Sequence, residues 1–276
     1  MIQDIRPDRL DNAYTPRSPG AQDRILVFDG EGRLYVRTGE GGILFATPGE
    51  MGTDGAVYLF SVNETGYFLL PENPGIILEG FGYLSIRQLR DLGGGTELFA
   101  AFTAWHLWRW YTDNRFCGRC GKRTEVHPTE RALQCTCGNV VYPRINPAVI
   151  VGVIRGDCLL ITRYRTGYAH NALVAGFTEI GETLEETVQR EVMEETGVRV
   201  RRIRYYKSQP WGMAQDLLMG FYCEAEEGSV IRMDPKELKD ARWVRREEIE
   251  LQPNALSLTN EMMKRFRDGE ISGSGD

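Results

Sequence analysis

The stretch "REVMEET" places Glu191, Glu194 and Glu195 at i, i+3 and i+4, a spacing that brings three carboxylates to one surface of a helix. Like charges so arranged repel by roughly a few tenths of a kcal/mol per pair in water, and by more once desolvated. A hard divalent cation relieves that conflict. Mg²⁺ or Mn²⁺ takes oxygen ligands, usually one or two carboxylates with water and substrate phosphates. Such a site suits hydrolysis of a diphosphate, because it neutralises phosphate charge and acidifies water. The competing reading of the same residues is a solvated acidic helix face, common on its own.

A second cluster reads "CGRCG", then residues 121–134, then "CTCG". Cys117 and Cys120 form a CxxC knuckle and Cys135 and Cys137 a CxC knuckle, each in a glycine-containing turn that lets backbone amides approach sulfur. Four thiolates suit one Zn²⁺ per chain in a closed tetrahedral site, which leaves no coordination position for catalysis. The first task of such a ribbon is to staple the fold. The second knuckle is one residue shorter than usual, so whether it supplies both ligands is open at this level. His127, between the knuckles, is either a substitute ligand or a loop histidine beside Pro128. Cys158 and Cys223 stand alone in apolar runs and read as small buried hydrophobes. Clustering of this kind favours metal over disulfides, in a reducing compartment.

The elements that must position these groups are legible from patterning. Thr183 with Glu186 forms a capping box that starts a helix, Gly197 stands where a glycine ends one, and Leu184, Val188 and Val192 supply its apolar stripe. Arg190 on that helix could reach back to Glu182. "PAVIVGVIRGDCLLITRY" predicts two strands joined at an Arg-Gly-Asp turn, "RIRYYKSQ" and "LLMGFYCEAEE" predict two more, and residues 256–268 predict a terminal helix with "ISGSGD" frayed beyond it. Upstream, "RILVFDGEGRLYV", "GILFATPGE" and "AVYLFSVNETGYFLL" alternate as hairpins, the first with a tight turn at Asp29-Gly30 and Glu31-Gly32. Leu98, Phe102, Trp105 and Trp108 or Arg109 recur at helical spacing over residues 97–111, leading to the cysteines.

The whole spacing around the glutamates resembles the Nudix box, G-x5-E-x7-R-E-U-x-E-E-x-G-U with U apolar. Gly176, Glu182, Arg190, Glu191, Val192, Glu194, Glu195, Gly197 and Val198 fill every position. With seven fixed positions at roughly 6% usage each, a chance match in a chain of this size is on the order of one in a million. Together with the β-rich N-terminal region, the four-cysteine ribbon, "YPRINPAVIV" and "SQPW", the chain resembles the NADH pyrophosphatase family of zinc-ribbon Nudix hydrolases. The resemblance covers nearly the full length and is weakest before about Tyr83.

That resemblance implies an α+β chain with three parts: an N-terminal β-rich domain ending in a helix (1–113), a zinc ribbon (114–142) and a Nudix α/β/α sandwich (143–276). It implies an NAD(+)/NADH diphosphatase that yields nicotinamide mononucleotide and AMP and removes NAD caps from the 5′ end of RNA. The catalytic glutamates would be Glu191, Glu194 and Glu195. Several Mg or Mn ions would be held by Glu191, Glu195, the main-chain oxygen of Ala175, and Glu237 in "DPKEL". Gly176, Glu182, Arg190 and Gly197 would shape the box. Phe177 matches the aromatic on which nicotinamide stacks, and Arg87, Glu130, Tyr142, Gln209, Pro210 and Trp211 match substrate-contacting positions. Core packing is the alternative for Phe177, Tyr142 and Trp211, and a surface ion pair for Arg87. The family forms homodimers whose subunits share the pockets, so a dimer is expected.

One departure stands out. Family members usually continue as SQPWPFPxS, whereas this chain has Gly212, Met213, Ala214 and Asp216, which predicts a mobile distal loop and an added negative charge near the phosphate region that disfavours extra phosphates if it faces the pocket. A net charge of −6 over 276 residues argues against a broad nucleic-acid or membrane surface and for a small partner. The longest apolar run is far below the ~20 residues of a membrane span and the start lacks a signal-peptide core, so a cytoplasmic location is expected. Two other functions compete. One is Nudix hydrolysis of ADP-ribose, diadenosine polyphosphates or FAD; the other is a non-catalytic module that senses nucleotides or binds RNA.

Overall fold

The structure is a computed structural model that describes residues 1–72, 74–167 and 169–273. Its chain divides into two compact units, one of residues 2–144 with 212–215, the other of Met1, residues 145–211 and residues from Asp216 onward.

The first unit is built from β1 (Leu10–Asp11), β2 (Arg24–Val27), β3 (Leu34–Gly39), β4 (Gly42–Leu44), α1 (Pro48–Met51), β5 (Val57–Val62), β6 (Thr65–Leu70), β7 (Phe81–Leu84), α2 (Ile86–Asp91), α3 (Thr96–Asp113), β8 (Glu125–Val126), β9 (Leu133–Gln134) and β10 (Val140–Val141). The expected β5–β6 hairpin forms, its turn closed by Asn63 in the left-handed region at φ 52°. The hairpin expected of β2 and β3 does not. Phe28 bridges Leu34 across the Asp29 turn, but β2 then pairs in parallel with β6 while β3 joins β4 and β7 in a different sheet. The physical reason is burial: Ile25, Leu26 and Val27 are all covered, which a two-stranded ribbon cannot provide. Helix α3 buries Leu98, Phe99, Phe102, Leu107 and Trp110. The cysteine ribbon belongs to this unit, and Arg131 fastens it by donating to the carbonyls of Leu59 and Asn12 with its guanidinium over the Tyr14 ring.

The second unit contains β11 (Asn146–Arg155), β12 (Cys158–Tyr164), β13 (Val174–Phe177), α4 (Leu184–Thr196), β14 (Val200–Trp211), β15 (Asp216–Ala225), β16 (Leu238–Arg245) and α5 (Leu258–Arg267). The strands form one sheet in the order β14-β15-β11-β12-β16, with β13 paired to β11. Strand alternation decides which helix covers which face. Val149, Val151 and Val153 of β11 pack with Val188 and Val192 of α4, while Ile150 and Ile154 pack with Leu258, Met262 and Phe266 of α5. An α/β/α sandwich results. Thr183 and Glu186 cap α4 reciprocally as the sequence predicts, and Gly197 closes it at φ 68°. Of the expected frayed tail, residues 274–276 lie outside the described residues.

Candidate active site and zinc centre

Helix α4 carries the carboxylates, and one arginine organises them. Arg190 donates from Nε and Nη2 to the two oxygens of Glu182 at 2.6 and 2.9 Å. From Nη1 it reaches Glu191 at 2.7 Å and Glu194 at 3.0 Å, and Nη2 also meets the carbonyl of Phe177 at 2.9 Å. The fork matches carboxylate geometry, so one cation orients the loop before the helix and the groups on it. That pairing, with the Glu179 amide and Thr187, holds the Glu182 carboxyl down to about 2. Gly176 explains why the box begins with glycine: a Cβ there would lie 1.9 Å from the Glu191 carboxyl carbon.

Glu195 is the unusual member. It is 1% exposed, its Oε1 accepts from the Tyr164 hydroxyl at 3.4 Å, and its Oε2 is buried with no hydrogen-bond partner. Burial, reinforced by the nearby charges of Glu237 and Glu191, pushes its carboxyl up to about 8. Burial likewise raises Glu191, against the opposing pull of Arg190. An orphaned carboxylate oxygen facing other carboxylates costs free energy unless a cation joins it. The donors are all hard oxygens, which fits Mg²⁺ or Mn²⁺ and not a thiophilic metal.

The remaining expected residues fall into different settings. The Ala175 backbone on β13 lies beside Glu195 and opposes the rise of its carboxyl, and Phe177 at the end of the same strand is 51% exposed. Glu237 lies exposed just before β16, close enough to act on Glu191 and Glu195 through its charge. Gln209 is fully buried: its amide donates to the Leu256 carbonyl at 2.8 Å and accepts from the Leu258 amide at 2.7 Å. Those bonds tie β14 to the start of α5. Pro210 is exposed and Trp211 half-buried at the end of β14. In the other unit, Tyr142 donates to Glu130 at 2.5 Å with its ring exposed, and Arg87 is exposed on α2. Tyr164 was not foreseen, since an aromatic at the end of an apolar strand carries no signal of a carboxylate partner.

The divergent loop differs from expectation. Gly212–Ala214 form a 3₁₀ turn, and a Cβ on Gly212 would sit 2.2 Å from the Phe102 carbonyl of α3, so a glycine is what lets the backbones approach. Gln215 accepts from Arg144 at 2.5 Å, whose own carbonyl bonds His106 Nε2 at 2.8 Å. Asp216 opens β15 buried, with Oδ1 unpartnered, and burial raises its carboxyl to about 7. It does not present an exposed charge.

The four cysteine sulfurs all lie within 4.8 Å of one another, with Cys117–Cys137 at 3.7 Å and Cys120–Cys135 at 3.5 Å. A disulfide needs ~2.05 Å, whereas a Zn–S bond of ~2.3 Å puts tetrahedral sulfurs about 3.8 Å apart. The donors therefore fit a structural zinc, and the short knuckle supplies both of its sulfurs. Gly121 and Gly138 close the knuckles in the left-handed region, and the Arg119 amide donates to Cys117 Sγ at 3.4 Å, drawing that thiol down to about 6. His127 lies outside the cluster, with Nδ1 accepting from the amides of Thr129 and Glu130. No helix among the described residues is long and apolar enough to cross a membrane.

Two family models match segments of this chain. The NUDIX domain family matches residues 144–266, and the NADH pyrophosphatase zinc ribbon domain matches residues 113–142. An NAD-capped RNA hydrolase NudC of Enterobacter sp. (strain 638) is 40% identical over 173 residues, spanning 61% of this chain and 66% of that protein. The NudC of Shigella flexneri is 41% identical over the same share. The chain thus spans just under two thirds of the length of these relatives. Among solved structures, a Nudix hydrolase from Nitrosomonas europaea covers 56% of this chain and 90% of its own at 21% identity, with a TM-score of 0.49.

Proposed function

We propose that the chain is a zinc-ribbon Nudix hydrolase of the NADH pyrophosphatase family, as its two family matches and its relatives support, and that it hydrolyses the diphosphate bond of NAD(H) to nicotinamide mononucleotide and AMP. The same chemistry extends to NAD at the 5′ end of RNA, as the names of its relatives suggest. The observation that carries the reading is Glu195, buried, orphaned at Oε2 and set among Glu191 and Glu237 beneath an intact box.

Glu191, Glu195, Glu237 and the main-chain oxygen of Ala175 would hold Mg or Mn. Bound there, a divalent cation supplies charge neutralisation at the diphosphate and a more acidic water. The protein's own contribution is positioning. Arg190 keeps Glu191 and Glu194 oriented against their mutual repulsion, Tyr164 fixes Glu195 by its hydroxyl, and Phe177 offers an exposed ring face for nicotinamide. Tyr142, Glu130, Arg87 and Trp211 would contact substrate, whereas Gln209 acts through the loop that it anchors. A homodimer in the cytoplasm completes the proposal, on the strength of the family resemblance.

Incubation with NADH, and separately with ADP-ribose, in Mn²⁺ tests the reading. AMP released from NADH at the higher kcat/KM is the expected result. Preference for ADP-ribose would replace the substrate, and no turnover of either would leave a nucleotide sensor.

A further inference from the structure

The first unit contains a cleft of about 200 Å³ bounded by the β5–β6 hairpin, the last turns of α3 and the cysteine ribbon. Leu69 and Leu133 give it an apolar floor, Trp108 and Tyr111 of α3 give it aromatic walls, and Arg115 and Arg123 stand at it from the ribbon. None of these residues belongs to the carboxylate helix or to the thiolate cluster.

Three features point to a ligand. The Trp108 ring is stacked on Phe28 at 5.0 Å, so a flat surface is in place before anything binds. Arg115 and Arg123 are exposed, and among the described residues neither guanidinium has an ion-pair partner. In a chain of net charge −6, residues 115–123 carry Arg115, Arg119, Lys122 and Arg123 and no acidic residue, so the local field opposes the global one. The volume sets the size of the occupant. At about 200 Å³ the cleft is smaller than the ~300–1,000 Å³ that encloses a drug-sized ligand, and so takes a single ring system with its substituents outside.

We propose that this cleft is a nucleotide site, with a base against Trp108 and Tyr111 and its phosphate on the guanidinium pair of Arg115 and Arg123. Aromatic faces receive any base by stacking, and arginine forks match phosphate oxygens. Glu72, also on the lining, repels additional negative charge and favours a single phosphate over a triphosphate. The nucleotide comes either free, as a nucleoside monophosphate, or as part of an RNA strand.

The probes that separate these sources are AMP and an uncapped oligoadenylate, titrated into the full chain. Binding is followed by the indole N–H nuclear magnetic resonance signal of Trp108, assigned with Trp108→Phe. A saturable shift is expected, tighter with AMP if the ligand is free and tighter with the oligonucleotide if it is RNA. The double variant Arg115→Gln and Arg123→Gln should weaken binding by at least about tenfold, from the loss of charge-assisted hydrogen bonds, with the melting temperature and the NADH kinetics unchanged. A Trp108 signal that neither probe moves, or a double variant that binds as the wild type does, overturns the proposal. Binding is read without turnover, so failure to hydrolyse NADH would count against the proposed function and leave this result standing.

Discussion

The thiolate cluster and the carboxylate cluster hold their ligands in opposite ways. The cysteine sulfurs already lie within 4.8 Å of one another, drawn in by tight turns and by amides such as that of Arg119. A thiol ordinarily ionises above neutral pH and a carboxyl well below it, so packing sulfurs together costs less than packing carboxylates, even with Cys117 drawn down by the Arg119 amide. Of the glutamates, Glu182, Glu191 and Glu194 are tied to Arg190 and Glu195 is buried with an orphaned oxygen, because carboxylates repel until a counter-charge arrives. A structural centre can thus be shaped by the fold alone, while a site for hard cations stays electrostatically incomplete. On the proposed function, this contrast would make the first centre a matter of stability and the second a matter of rate.

The largest effect should come from breaking the first centre. Cys117→Ser, or prolonged chelation, is expected to release one zinc per chain and to lower the melting temperature sharply, leaving the chemical step of the still-folded fraction intact. Elemental analysis beside a thermal melt checks this, and zinc-free protein with an unchanged melt would erase the distinction. Glu195→Gln should do the reverse: turnover falls by at least about 100-fold while the melt holds or rises, since a charge is lost and little packing. Near-wild-type turnover would remove Glu195 from the site.

Two glycines sharpen the same contrast. In Gly176→Ala the new Cβ meets the movable end of Glu191, so a loss of about tenfold or more in kcat with a small stability change is expected. In Gly212→Ala it meets the fixed carbonyl of Phe102, and about 1–3 kcal/mol of stability should be lost instead. Denaturant titration with parallel kinetics distinguishes them; equal effects on both readouts would show that the two positions are not different in kind. The smallest effect is electrostatic. Burial raises the folded-state carboxyl of Asp216 to about 7, so its stability is full below its unfolded value near 4 and declines as pH rises through 7. Asp216→Asn should therefore melt higher than the wild type at pH 8 and no differently at pH 4, and a pH-independent difference would contradict the burial argument.

Much of this was legible in the residues themselves. The capping box at Thr183, the closing Gly197 and the apolar stripe through Val188 and Val192 are local signals, and local signals survive folding because they act within one or two helical turns. The β2–β3 hairpin misled for the complementary reason: a tight turn at Asp29 is local, but the partner of β2 is β6, some forty residues away, chosen by burial. The divergent loop misled likewise, for the loss of prolines reads as mobility until Phe102 is found against Gly212.

By itself the sequence determined the helix that carries the glutamates and the two cysteine knuckles, each of which depends on spacing along one short segment. Only the tertiary structure decided which carboxylate is buried without a partner, that Tyr164 bonds it, that Gln209 is an anchor and that Asp216 is hidden. Those properties belong to the surroundings of a side chain. Desolvation and hydrogen-bond satisfaction are set by residues distant in the chain, and no local pattern records them.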